Sequence, residues 1–123
     1  MGIADDTRWL DATAQADLVA GGELTAVELH DAAAARIELL DTSINAVVMR
    51  WFDRARHQAD ACYNLPNSAP ARTAPFAGVP ILLKHLHTHL AGMPLTNANR
   101  AKKHAQPQST HHSTLVSRFN DAG

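Results

Sequence analysis

Thr25 stands three residues before Glu28 at the head of TAVELHDAAAARIELL, and this spacing constrains the chain more than any other stretch. A Thr at that position can accept the N–H of the third helical residue while the Glu carboxylate reaches back to the Thr N–H. Two of the backbone donors that a helix start leaves orphaned are then satisfied together. The helix that begins here carries Val27, Ala34, Ile37 and Leu40, with Leu29, Ala33 and Ala35, as a broad apolar stripe, leaving Glu28, Asp31, Arg36 and Glu38 for solvent. Its alanines imply close helix packing. DATAQADLV, from Asp11 to Val19, predicts a shorter helix with a good capping residue at its start and Gly21 and Gly22 at its stop. Further helices are expected over Trp51 to Ala61 and in STLVSRFNDAG, the latter capped by Ser113 or Thr110.

Two stretches read as strands. INAVVM, from Ile44 to Met49, is short and β-branched, while the unbroken apolar run of VPILLK implies cover on both faces, as in a parallel or mixed sheet. Between them the chain turns rich in proline, with Pro66, Pro70 and Pro75, and residues 64–77 read as a surface loop. Gly92 to Pro107 is also loop-like. This order predicts an α/β or α+β fold in a single domain over 1–123. Two strands make a poor sheet, so the architecture reads as part of a larger one.

A chain of 123 residues, 46% apolar, can enclose one core, and its apolar runs fall short of the ~20 residues that span a bilayer. No membrane partner is expected. MGIADDTRW has neither a basic flank nor an apolar segment, so no export signal is read and a cytoplasmic location is expected. Cys62, the one cysteine, forms no internal disulfide. A formal charge of −1 excludes a broad field for nucleic acid, and Arg100, Lys102 and Lys103 are too few to supply one. Histidine is the unusual component: there are eight, and protonating all of them would carry the formal charge from −1 to +7.

Chemistry concentrates in AGVPILLKHLHTHLAG, Ala77 to Gly92. Lys84 ends the apolar run; burial there would disfavour its charged form and make it a base, whereas a stem lying along apolar surface would leave its ammonium in water. On a strand, His85, His87 and His89 would share one face about 6.5–7 Å apart, a feasible comb for zinc, nickel or copper. They serve equally as solvated polar residues in place of acids. His111 and His112 are adjacent and diverge; His30 and His57 fall in helix patterns, exposed or partly packed. Trp9, Trp51, Phe52, Phe76 and Phe119 are expected in a core or interface.

DATAQADLVAGGELTAVELHDAAAARIELLDTSINAVV, PFAGVPILLK and HLAGMPLTNANRAKKHAQPQSTHHSTLVSRFNDAG together give the chain an ordering that resembles the amino-terminal part of the amidase signature family. The resemblance implies a Ser, cis-Ser, Lys triad, in which a neutral lysine takes a proton through a bridging serine while a second serine attacks an amide carbonyl. Lys84 matches the lysine, with Gly78, Val79 and Pro80 shaping the turn before it. No serine is assigned. The Gly/Ser-rich nucleophile segment has no counterpart after Lys84, and Ser109, Ser113 and Ser117 read as caps or solvated positions. His85 and His87 stand where the family places Asp and a nearby Gly. The expectation is a truncated or degenerate relative of these hydrolases, inactive alone and without a cofactor. The alternatives are a histidine-rich module binding a divalent metal such as zinc, or an interaction protein that forms a homo-oligomer. A complementing carboxyl-terminal chain would restore activity.

Overall fold

The computed structural model describes residues 2–123, the side chain of Ala4 excepted. Met1, at the head of the segment read for an export signal, lies outside the described residues. Seven helices are described: α1 (Ile3–Asp6), α2 (Ala12–Ala20), α3 (Ala26–Ile44), α4 (Phe52–Tyr63), α5 (Pro70–Thr73), α6 (Arg100–Ala105) and α7 (Thr114–Ala122). They fall into two compact units, one running up to Pro80 and including Ala122–Gly123, the other Ile81–Asp121. No helix among the described residues is long and apolar enough to cross a membrane.

α3 begins as its sequence requires. Thr25 Oγ1 accepts the Glu28 N–H at 3.1 Å, and Glu28 Oε2 accepts the Thr25 N–H at 2.8 Å. The Thr25 backbone N–H, then its hydroxyl, holds the Glu28 carboxyl below its usual range. The buried face of α3 runs through Ala26, Leu29 and Ala32, while Leu39 and Leu40 are exposed. The stripe drawn from sequence therefore sits too far toward the carboxyl end.

Neighbouring helices meet α3 through specific side chains. On the α1 side, Arg36 Nη1 donates to Thr7 Oγ1 at 3.1 Å, and the buried Thr7 hydroxyl donates to the Ile3 carbonyl at 2.8 Å. On the α4 side, the Phe52 and His30 rings meet in a T-shaped arrangement with centroids 6.3 Å apart, and Arg56 Nε donates to both Asp31 oxygens at 3.0 and 3.2 Å. The His30 ring is buried. Its Nδ1 lies 2.9 Å from Asp31 Oδ1, and its Nε2 has no hydrogen-bond partner among the described residues. His30 first, then Arg56, holds the Asp31 carboxyl below its usual range.

The end of α3 explains why the first expected strand does not form. Ile44 is the last residue of the helix and Asn45 turns left-handed at φ 54°. The Asp41 side chain then collects the chain: its Oδ1 accepts the Ala46 and Val47 N–H groups at 2.7 and 3.1 Å, and Oδ2 accepts Arg50 Nη2 at 2.9 Å. Two donors that a strand would place in a ladder are thereby committed to a carboxylate.

The second expected strand is corrected for a related reason. Residues 79–84 have no regular secondary structure, and the single β-bridge among the described residues pairs Pro94 with Gln108. A strand needs a neighbour's backbone groups; no other described segment offers them. Ile81 and Leu82 stand exposed where cover on both faces was expected. The α/β reading, with α+β beside it, gives way to a helical fold without a sheet among the described residues. α5 forms inside the proline-rich stretch, with Pro at its first turn. Trp9, expected in a core or interface, is 82% exposed and so lies outside any core of the described residues, with the Arg8 guanidinium 4.5 Å from its ring centre.

Leu29 is 1% exposed. Leu29→Ala should cost about 2–5 kcal/mol and Thr25→Ala about 0.5–2 kcal/mol, both read from urea denaturation at pH 7. Asp41 adds an acid limit. The Ala46 N–H first, then the Val47 N–H and Arg50, lowers its carboxyl from the usual range. A folded value below the unfolded one means that this stabilisation is complete above about pH 4 and fades as pH falls through the lower folded value. Asp41→Asn should lower the melting midpoint at pH 7 and flatten its fall between pH 4 and pH 2.5.

Candidate functional site

In the chain, Lys84 is preceded by a turn at Gly78. The Val79 N–H donates to the Phe76 carbonyl at 3.0 Å, closing a turn in which Gly78 sits at φ 82°. A Cβ there would lie 2.8 Å from Ala26 Cβ and 3.3 Å from Val19 Cγ1. The turn is thus pressed against the first residue of α3, and only glycine permits both the dihedral and the approach. Ala77 is buried in it, and the Phe76 N–H donates to the carbonyl of Ala122, the last residue of α7, at 2.8 Å.

Lys84 itself reaches water. It is exposed and engages in no side-chain hydrogen bond or ion pair among the described residues. The burial expected of a lysine base is not supplied by these residues.

The three histidines that follow do not share a face, because residues 85–87 form a turn. His85 Nε2 lies 2.6 Å from Thr96 Oγ1 and accepts the Thr96 N–H at 3.2 Å. His87 is left-handed at φ 61°, and its N–H donates to Asn97 Oδ1 at 2.9 Å. His89 Nδ1 lies 3.0 Å from the hydroxyl of buried Ser109, and its ring stacks on His111 at a centroid distance of 5.0 Å. Each histidine is tied to a different segment. Among the described residues no group of three His, Cys, Asp or Glu side chains is placed to hold a metal ion; the strand on which the comb depended is not formed.

The same loops are closed by short backbone contacts. Leu95 N–H donates to Pro107 at 3.2 Å and Ser109 N–H to Met93 at 2.9 Å, flanking the Pro94–Gln108 bridge. α6 between them is capped by Asn99, whose Oδ1 accepts the Ala101 N–H at 2.9 Å. The Ala91 N–H donates to His112 Nδ1 at 3.1 Å, and the Ser113 N–H donates to the His89 carbonyl at 2.9 Å. Ser113 Oγ accepts the Val116 N–H and caps α7 as expected. Ser109 departs from expectation in being buried against His89. The His85–Thr96 and His112–Ala91 pairs were not legible in the sequence, since each joins residues far apart along the chain.

The profile of the amidase family matches residues 28–123, a span that holds the Gly78 turn and Lys84. The chain belongs to the amidase family. It is 35% identical over 115 residues to the 6-aminohexanoate-cyclic-dimer hydrolase of Pseudomonas sp. (strain NK87), covering 94% of this chain and 21% of that protein. It is 34% identical over 116 residues to the acylamidase of Rhodococcus erythropolis, covering 94% and 23%. A solved structure of 6-aminohexanoate cyclic dimer hydrolase superposes with a TM-score of 0.80 at 35% identity, over 94% of this chain and 22% of that one. The chain therefore spans about a fifth of the length of these amidases, at their amino-terminal part.

Gly78 and Gly92 separate two costs of this amidase segment. Both have positive φ, but a Cβ at Gly92 would meet nothing within 4 Å. Gly92→Ala should cost about 1–2 kcal/mol from the dihedral alone, and Gly78→Ala clearly more, in the same denaturation experiment. Equal losses would show that the approach to Ala26 is not tight.

Proposed function

We propose that this chain is the lysine-bearing amino-terminal segment of an amidase whose reaction is carboxamide hydrolysis through an acyl-serine, with Lys84 at the place of the base. The observation that carries the reading is the family match over residues 28–123, a span that includes the Gly78 turn and Lys84. In that chemistry a neutral lysine draws a proton through one serine while another serine attacks the carbonyl. A lysine becomes neutral at physiological pH by losing water around it.

The 123 residues alone do not complete this arrangement. Ser109 is bonded to His89 and Ser113 caps α7, so neither is a hydroxyl held by Lys84. The partner that would enclose Lys84 is the remainder of an amidase fold, in the same polypeptide or as a complementing chain. Exposed Ile81, Leu82 and Leu86 around the lysine support that role.

Mixing the chain with a separately expressed Rhodococcus acylamidase that lacks its matched amino-terminal part tests the reading. Ammonia release from a simple carboxamide should appear in the mixture, be absent from either piece, and fall a hundredfold or more with Lys84→Ala. Turnover by the 123 residues alone, or a mixture indifferent to Lys84, would overturn it.

A further inference from the structure

One face of α3 passes from buried to exposed along the length of the helix. With 3.6 residues per turn, Leu29, Ala33, Ile37, Leu40 and Ile44 stand in a row on that face. Leu29 is buried and Ala33 and Ile37 are half-buried, whereas Leu40 and Ile44 are 50% and 64% exposed. The contacts that cover α3 lie toward its start. Phe52 and Arg56 of α4 reach it at His30 and Asp31, and Thr7 meets it at Arg36. After Ile44 the chain turns left-handed at Asn45, and residues 46 and 47 are fastened to the Asp41 carboxylate. Asp41 points about 100° round the helix from Leu40. Leu40 and Ile44 stay in water, and Val48 in the fastened segment is exposed as well. Large aliphatic residues gathered at a surface in this way mark a face that something else covers.

We infer that the carboxyl-terminal half of α3 is a docking face for the remainder of an amidase fold, with Leu40 and Ile44 as its anchors. This rests on the reading of the chain as an amidase segment and adds to it a second surface, carried by the helical unit. The family comparison chooses the occupant. The profile match begins at residue 28 and takes in the whole exposed part of the row. The solved hydrolase superposes on 94% of this chain but on 22% of its own, so the arrangement the two share is there one part of a larger fold. Asp41 assists docking by holding residues 46 and 47 in place beforehand, which leaves less backbone to be ordered on association. Leu40 and Ile44 carry no group that exchanges a proton, so the face acts in assembly and not in chemistry.

Co-expression tests it. The full chain is produced together with a tagged Rhodococcus acylamidase lacking its matched amino-terminal part, and the chain recovered with the tag is quantified. The wild-type chain should be retained in equal stoichiometry. Leu40→Glu with Ile44→Glu should lower retention about tenfold or more, since each substitution places a carboxylate in an apolar contact. Lys84→Ala should be retained like the wild type. Both α3 positions are exposed in the chain alone, so the double variant should keep the wild-type circular dichroism and urea midpoint. If it does not fold, Leu40→Ala with Ile44→Ala should still lower retention about threefold or more. Failure to retain the wild-type chain, or retention indifferent to residues 40 and 44, would sink the proposal. So would sedimentation of the chain alone as a dimer that the double variant splits, which would make a second copy the occupant. Retention through this face without ammonia release would count against the hydrolytic reading alone; ammonia release with retention indifferent to these residues would count against the docking face alone.

Discussion

A backbone N–H removed from water must find an acceptor, and in this chain many of them find one on a side chain. Without a sheet among its described residues, the fold has no ladder to satisfy the stretches between helices. Asp41 gathers the residues after α3, Asn97 takes the His87 N–H, and His85 and His112 take donors from Thr96 and Ala91. Asp11, Thr25 and Asn99 do the same at helix starts. The path of the connecting segments is set largely by where these oxygens and ring nitrogens stand.

Among these acceptors the Asp41 carboxylate keeps its charge until strong acid, so the fastening there holds through the physiological range. These polar fastenings matter the more because the buried apolar residues are mostly alanines, with Leu29 and Val116 the large side chains most fully enclosed.

The family relationship and the exposure of Lys84 fit one account. Amidases of which this chain covers about a fifth match it over 94% of its length, yet here Ile81, Leu82 and Leu86 near Lys84 meet solvent. A lysine loses its charge readily where water is excluded, and Lys84 is exposed among the described residues. The sequence pattern VPILLK is that of a strand packed on both sides; within the described residues no backbone pairs with it, and Ile81 and Leu82 are exposed.

By itself the sequence determined what is local. The Thr25–Glu28 capping box, the Asp11 cap and the extent of α2 follow from residues within a few positions of one another, where side chain and backbone meet whatever else the chain does. Membership of the amidase family was legible in the same way, as an ordered string of short motifs. Tertiary structure decided the rest. INAVVM has strand-like residues, but Asp41, outside that stretch, claims its donors; VPILLK has the composition of a core strand, but no neighbour pairs with it. The alternation of HLHTH suggested a shared face, and a left-handed His87 with partners at Thr96, Asn97 and Ser109 sent the rings apart. Strand formation and side-chain convergence both depend on groups distant in sequence, and their positions are set only when the whole chain has packed.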